Sequence, residues 1–237
     1  MTKGVFVTGS GTGVGKTHVS KLLLNGLSNI GYGATYMKPV ETGCEELPNG
    51  EVSVGADTAA ALKLASYQAD DINLHSPYRF VPACSPHLAA VSCGCDISID
   101  RIVLTYENLT ENVSADIVVV EGAGGVFVPV NDNNQYMADV MKALSIPVIF
   151  VTTPELGTLN HTFLSLLALE RYGIPVIGVI INNAHNIERD FIYEDNVRTI
   201  RKRVAPVPCL DLGYGVDAGI SGNIIETTIK YCLRAAV

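Results

Sequence analysis

The stretch VTGSGTGVGKTHVSKLLLNG, residues 7–26, limits what this chain can fold into more than any other. Glycines at alternate positions, Gly9, Gly11, Gly13 and Gly15, run into Lys16-Thr17 and then into an apolar helical pattern. A glycine loop ahead of a helix is a phosphate cradle on physical grounds. Glycine takes backbone conformations closed to other residues. Its N–H groups can turn toward an anion, and the helix N-terminus adds partial positive charge. Lys16 adds a mobile full charge, and Thr17 a hydroxyl able to ligate Mg²⁺. The context fits: GVFVTG before the loop reads as a short buried strand. After it Val19, Leu22, Leu23, Leu27 and Ile30 fall at helical spacing, with Gly31 as the stop.

The loop departs from the common P-loop spacing, which puts four residues between the first Gly and Gly-Lys. That first position is Ser10 here; Gly9 precedes it, so the loop is one residue longer and reads G-x5-G-K-T.

The rest of the chain supplies a sheet for this loop to stand on. At 237 residues it can bury a sizeable core without disulfides. With 48% apolar residues and only 17% charged ones, it suits an extensively buried parallel sheet. Apolar runs at GVFVTG, GATYMKPV, DIVVVEGAGG (a central strand), IPVIFVTT and IPVIGVIINN alternate with helical patterns at 57–67, 135–144, 160–172 and 190–203. That rhythm predicts right-handed βαβ units: an α/β fold, a P-loop NTPase-like, mostly parallel β-sheet flanked by helices, in a single domain over residues 1–237. Residues 70–112, with Pro77, Pro82 and Pro86, are expected to hold only helices and loops. The net charge of −8 argues against a nucleic-acid surface, no run reaches the length of a membrane span, and MTKGVFV enters a strand without a signal-peptide pattern. Six scattered cysteines and five histidines form no zinc spacing, which fits reduced thiols in the cytoplasm.

In such sheets ligands sit beyond the carboxyl ends of the strands, and the suspect residues gather there. Lys38 ends an apolar run before Pro39, which favours extended geometry and a side chain leaving the strand tip. A lysine there is either a surface charge or a second cation beside the cradle. Asp57 opens the helix DTAAALKLA; taken alone it complements the helix dipole. Glu121 follows IVVV and precedes Gly122-Ala123-Gly124-Gly125, the place of an acidic group facing Mg²⁺. Thr17, Asp57 and Glu121 together would offer three oxygens to a hard cation.

TGSGTGVGKT, MKPVETG, GADTAA, SPHLAA, VEGAGGVFVPV and LGTLNHT, in this order over residues 4–183, resemble the dethiobiotin synthetases. The resemblance implies an ATP-dependent ring closure. An amine of 7,8-diaminononanoate takes up CO₂, the carbamate attacks the γ-phosphorus of ATP, and the second amine closes the ureido ring. It implies Lys38, Lys16 and Thr12 as the catalytic group, and Gly13, Val14, Gly15, Lys16, Thr17, Asp57, Glu121, Gly122, Ala123 and Gly124 around the Mg²⁺ nucleotide. Asn182 and Asn183, and more weakly Val207, Pro208 and Cys209, are implied near the adenine. Thr42, Gly122, Leu156, Gly157, Thr158 and Asn160 are implied as substrate contacts, the last four from the neighbouring subunit of a homodimer. A turn with Asn160 near a helix start is the plainer reading of that last segment, and packing the plainer role of His87. A cargo-positioning switch ATPase of the same superfamily would carry a lysine where Gly11 stands. Another amidoligase of that superfamily would usually add a glutaminase domain, for which this length leaves no room.

Overall fold

The computed structural model describes residues 3–217 and 222–234. Strand β1 (Gly4–Gly9) leads through the glycine loop into helix α1 (Lys16–Asn29), followed by β2 (Ala34–Met37) and β3 (Val40–Thr42). Next come α2 (Ala56–Leu62), α3 (Ile72–His75), β4 (Tyr78–Phe80), α4 (Pro86–Ser92) and α5 (Ile99–Asn112). The second half alternates strictly: β5 (Ile117–Glu121), α6 (Met137–Leu144), β6 (Val148–Thr152), α7 (Thr158–Arg171), β7 (Val176–Asn182), α8 (Phe191–Val204), β8 (Cys209–Leu212) and α9 (Asn223–Arg234).

Six strands form one parallel sheet in the order β2-β5-β1-β6-β7-β8. Both faces are covered, as side-chain alternation requires. Phe6, Val118, Val120, Val148, Phe150 and Val179 point into a core shared with α5, α6 and α8. Val5, Val7, Val119, Ile149, Val151 and Ile180 point the other way, onto α1 and α9. Because the strands are parallel, Gly9, Met37, Glu121, Thr152 and Asn182 all end on one rim.

Several expectations are corrected. The run GATYMKPV is not one strand: it breaks at Lys38-Pro39, and β3 pairs with β4 in a separate two-stranded sheet. Residues 70–112 therefore contain a strand, Tyr78–Phe80, too short to show a period. The helix expected over 57–67 ends at Leu62, and Ile30 is an exposed cap residue rather than core. DIVVVEGAGG lies second from the sheet edge rather than at its centre.

The break at Lys38 is held by His75. Lys38 N donates to the His75 carbonyl (2.8 Å), and the His75 ring, fully buried, sits between the Tyr36 carbonyl at Nδ1 (2.6 Å) and the Ala69 N–H at Nε2 (2.8 Å). A carbonyl can only accept and an N–H can only donate, so the ring is neutral with its proton on Nδ1. Burial holds the imidazole below its ordinary value, with a smaller opposing pull from the Tyr36 carbonyl and Asp71. The unfolded chain thus takes up the proton first, and this contribution to stability is present above about pH 6.5 and lost as the pH falls below it. Urea unfolding between pH 7.5 and 5.5 is expected to show His75→Gln less pH-dependent than the wild type, by at most about 1.4 kcal/mol per pH unit. Parallel pH curves would contradict this.

Candidate functional site

The rim carries a buried cluster of opposite charges. Glu121, 1% exposed at the tip of β5, accepts hydrogen bonds from three directions. Thr17 Oγ1 and Lys38 Nζ donate to Oε1 (2.7 and 3.1 Å), and Tyr36 OH donates to Oε2 (2.8 Å). The Lys38 ammonium also donates to the Asp57 carboxylate at the start of α2. Burial alone would push the Lys38 pKa down, but Glu121 and Asp57 outweigh it and hold the ammonium well above the ordinary lysine range. Asp57 is held below the usual carboxylate range: burial opposes this, and Lys38 together with Thr17 overcomes it. Tyr36 is pushed up by burial and by the Glu121 charge, so it remains a donor. Lys16 differs from Lys38. Its ammonium folds back onto the Gly11 carbonyl (2.8 Å), and burial, against the pull of Glu121, brings it down to about 8.

These groups line a cavity of about 640 Å³. Thr12, Gly13, Gly15, Lys16 and Thr17 form one wall, Lys38, Thr42 and Asp57 another, and Glu121, Gly122, Ala123 and Gly124 a third. Cys84, Ser85 and Pro86, at the start of α4, close it. Gly15 has φ +89°, and a Cβ there would lie 2.1 Å from Asn182 Nδ2, so both conformation and space demand glycine. At Gly122 the place of a side chain is taken by the Phe6 ring, 2.8 Å from an added Cβ.

Other expected residues lie elsewhere. Asn182 donates its amide to the Val14 carbonyl (2.9 Å) and so braces the glycine loop. Asn183 closes its own turn with Ile187, as donor and as acceptor (both 2.9 Å). Thr158 is buried in a hydroxyl cluster: Thr152 Oγ1 contacts Ser10 (3.1 Å), Thr158 (2.9 Å) and Thr162 (2.7 Å). Leu156 and Gly157 are exposed beside the loop, and Asn160 lines a second cavity of about 710 Å³ with Phe127, Leu164 and Leu167. Thr12 and Val128 border both cavities. Val207, Pro208 and Cys209 do not flank the nucleotide rim. Cys209 pairs with Val179, three residues before Asn182 on β7, so it sits about 10 Å back along the sheet. The rim end of β8 is Leu212, whose carbonyl accepts from Asn183 N (2.9 Å).

Two site residues were not singled out from the sequence. Tyr36 looks like any core aromatic until Glu121 is found beside it. Glu41 follows the end of GATYMKPV and reads as a surface charge until it is found buried, where a carboxylate is seldom placed unless partnered.

The donor set fits Mg²⁺. Thr17, Asp57 and Glu121 supply only hard oxygens, around a spot whose negative charge a cation already balances. Among the described residues no group of three His, Cys, Asp or Glu side chains could hold a metal alone.

The cluster makes a stability prediction. Glu121→Ala leaves the buried Lys38 charge with one half-exposed partner and is expected to cost about 3–5 kcal/mol in urea unfolding at pH 7. Asp57→Ala, whose side chain is 46% exposed, is expected to cost about 1 kcal/mol. Equal losses would contradict the assignment of Glu121 as the main counter-charge.

Comparison with known proteins gives the family and the fold. A family model described as an AAA domain matches residues 3–210. Among solved structures, a putative plasmid partition protein from Borrelia burgdorferi bound to AMPPNP has a TM-score of 0.56 at 12% identity, covering 99% of this chain and 100% of that one. Chloroplast FtsY from Physcomitrella patens has a TM-score of 0.51 at 13% identity, covering 98% of this chain and 65% of that one. These show the fold alone. The ATP-dependent dethiobiotin synthetase BioD of Methanocaldococcus jannaschii is 36% identical over 84% of this chain and 88% of its own length. That of Thermodesulfovibrio yellowstonii is 34% identical over 97% and 96%. With a third of its residues shared along nearly the whole length of such relatives, the chain belongs to the ATP-dependent dethiobiotin synthetase family.

Proposed function

We propose that this protein, one domain over residues 1–237 acting in the cytoplasm, carboxylates 7,8-diaminononanoate and closes it to dethiobiotin, with ATP going to ADP and phosphate. The observation that carries the reading is the Lys38 ammonium, held by Asp57 and Glu121 inside a cavity whose other wall is the phosphate loop. A carbamate and a triphosphate repel one another, and their reaction needs a fixed cation between them.

Each residue then has a task. One amine adds to CO₂ and loses a proton, giving the carbamate. Lys38 steadies that anion beside Thr42, while Lys16 and the amides of Gly13, Val14 and Gly15 hold the β- and γ-phosphates. Mg²⁺, when held by Thr17, Asp57 and Glu121, neutralises phosphate charge. The carbamate oxygen attacks the γ-phosphorus and ADP leaves. The second amine attacks the carbonyl of the mixed anhydride, the ring closes, and phosphate departs. Thr12 stands at the junction of the two cavities, where it can follow charge from the triphosphate to the reacting carbonyl. Gly122, Ala123 and Gly124 shape the wall next to the substrate. Asn182 and Asn183, with the rim end of β8, frame the place for the base.

The far end of the diamine is assigned to a homodimer. Leu156 is 85% exposed, and Phe127, Leu164 and Leu167 are exposed around the cavity that holds Asn160. A second copy seated on this apolar face would bring its own Leu156, Gly157 and Asn160 toward the first copy's substrate. Thr158 would act beneath them through its hydroxyl cluster. The thiols, all six of them free, suit a reducing compartment. Among the described residues no helix is long and apolar enough to cross a membrane.

Incubation with the diamine, bicarbonate and Mg-ATP is expected to yield dethiobiotin, detected by mass; no product would overturn the reading. Lys38→Ala is expected to bind ATP as the wild type does and to turn over on the order of 10²–10³ more slowly. Unimpaired turnover would remove Lys38 from the mechanism. Asn160→Ala is expected to raise the diamine KM about tenfold with the ATP KM unchanged. Equal effects on both would contradict the assignment of Asn160 and its loop as diamine contacts.

A further inference from the structure

Glu41 is a carboxylate with 3% exposure that the chemistry above does not use. It lies in the middle of β3, between Val40 and Thr42, which both line the 640 Å³ cavity. Alternation along a strand turns it the other way, toward the start of α2. There Oε1 accepts from the backbone N–H groups of Asp57 (3.1 Å) and Thr58 (3.2 Å), and Oε2 accepts from the Thr58 hydroxyl (2.6 Å).

Helix α2 needs this help. It is seven residues long, and its N-cap is Gly55, which has no side chain to cap with. A helix that short is marginal without outside support. Glu41 fills the role from another strand, and its negative charge suits the helix N-terminus. Gly55 makes room for it: an added Cβ would lie 2.2 Å from Glu41 Cδ. The first amide held is that of Asp57, so the bonds that cap α2 also fix where the Asp57 carboxylate begins.

We infer that Glu41 is the positioning residue for Asp57, holding it in register with Lys38 and the metal-nucleotide, and that β3 thereby ties the diamine-facing Thr42 to the metal-facing Asp57. This rests on the reading of Asp57 as a group facing Mg²⁺. Removing Glu41 leaves Asp57 in the chain but lets its helix start wander. Gln in its place keeps the bonds, because its carbonyl can accept from both amides and its NH₂ can donate to the Thr58 hydroxyl.

The test is binding of Mn²⁺ to the full chain with AMP-PNP, read from loss of the free Mn²⁺ signal in electron paramagnetic resonance. Amide hydrogen exchange at Asp57 and Thr58 is followed alongside. Glu41→Ala is expected to weaken Mn²⁺ binding about tenfold, as outer partners of metal ligands do, and to speed exchange at both amides. Glu41→Gln is expected to stay within about threefold of wild type. Gly55→Ala, which displaces the carboxylate without removing it, is expected to behave like Glu41→Ala and serves if that variant fails to fold. Asp57→Ala is expected to weaken Mn²⁺ binding by a similar factor, with no further loss in the double variant. Unchanged Mn²⁺ binding in Glu41→Ala or Gly55→Ala, with Asp57→Ala weakened, would overturn the positioning role alone. Unchanged binding in Asp57→Ala would overturn the reading of Asp57, and this inference with it.

Discussion

A carboxylate taken out of water is costly unless its oxygens are hydrogen-bonded and its charge is matched. Glu121, at the tip of β5, meets both conditions through donors on two other segments, Thr17 on one and Tyr36 with Lys38 on the other. Thr17 is on the helix that follows the phosphate loop, Tyr36 on the edge strand, and Lys38 just past that strand's end. Satisfying one buried charge therefore fixes the relative position of three elements at the rim. It also leaves an ammonium that the fold itself keeps charged, inside the cavity walled by the phosphate loop.

The phosphate loop is tied down by a second, uncharged set of contacts. Ser10, standing where the commoner loop has glycine, places its hydroxyl on Thr152 at the tip of β6, and Thr152 contacts Thr158 and Thr162 on α7. Asn182 braces the Val14 carbonyl from β7. The loop is thus bonded to the segment that presents Leu156 and Asn160. The nucleotide cradle and the apolar face share a border of hydroxyls rather than a flexible hinge.

Much of this was legible in the sequence because it is local. The cradle is contiguous, the strands are continuous apolar runs, and Lys38, Asp57 and Glu121 stand at strand or helix ends where charge is conspicuous. What stayed hidden depends on pairing between distant segments. Tyr36 acquires meaning only beside Glu121, 85 residues on. Glu41 acquires it only beside Gly55, and His75 only between Tyr36 and Ala69. The strand Tyr78–Phe80 is three residues long and exists because β3 is there to pair with it. That Val207 to Cys209 lie at the far end of β8 from the rim was hidden for a related reason: which end of a strand meets the rim depends on its register with β7.

Glu121 and Asp57 hold Lys38 as a cation at the strand tips, above the ordinary lysine range. Its side-chain carbon signal, followed by nuclear magnetic resonance in protein labelled with ¹³C-lysine and assigned by its loss in Lys38→Arg, reports that charge directly. The signal is expected to stay at the ammonium position as the pH is raised past the ordinary lysine value of about 10.4. A Lys38 signal that titrates at or below that value would contradict it.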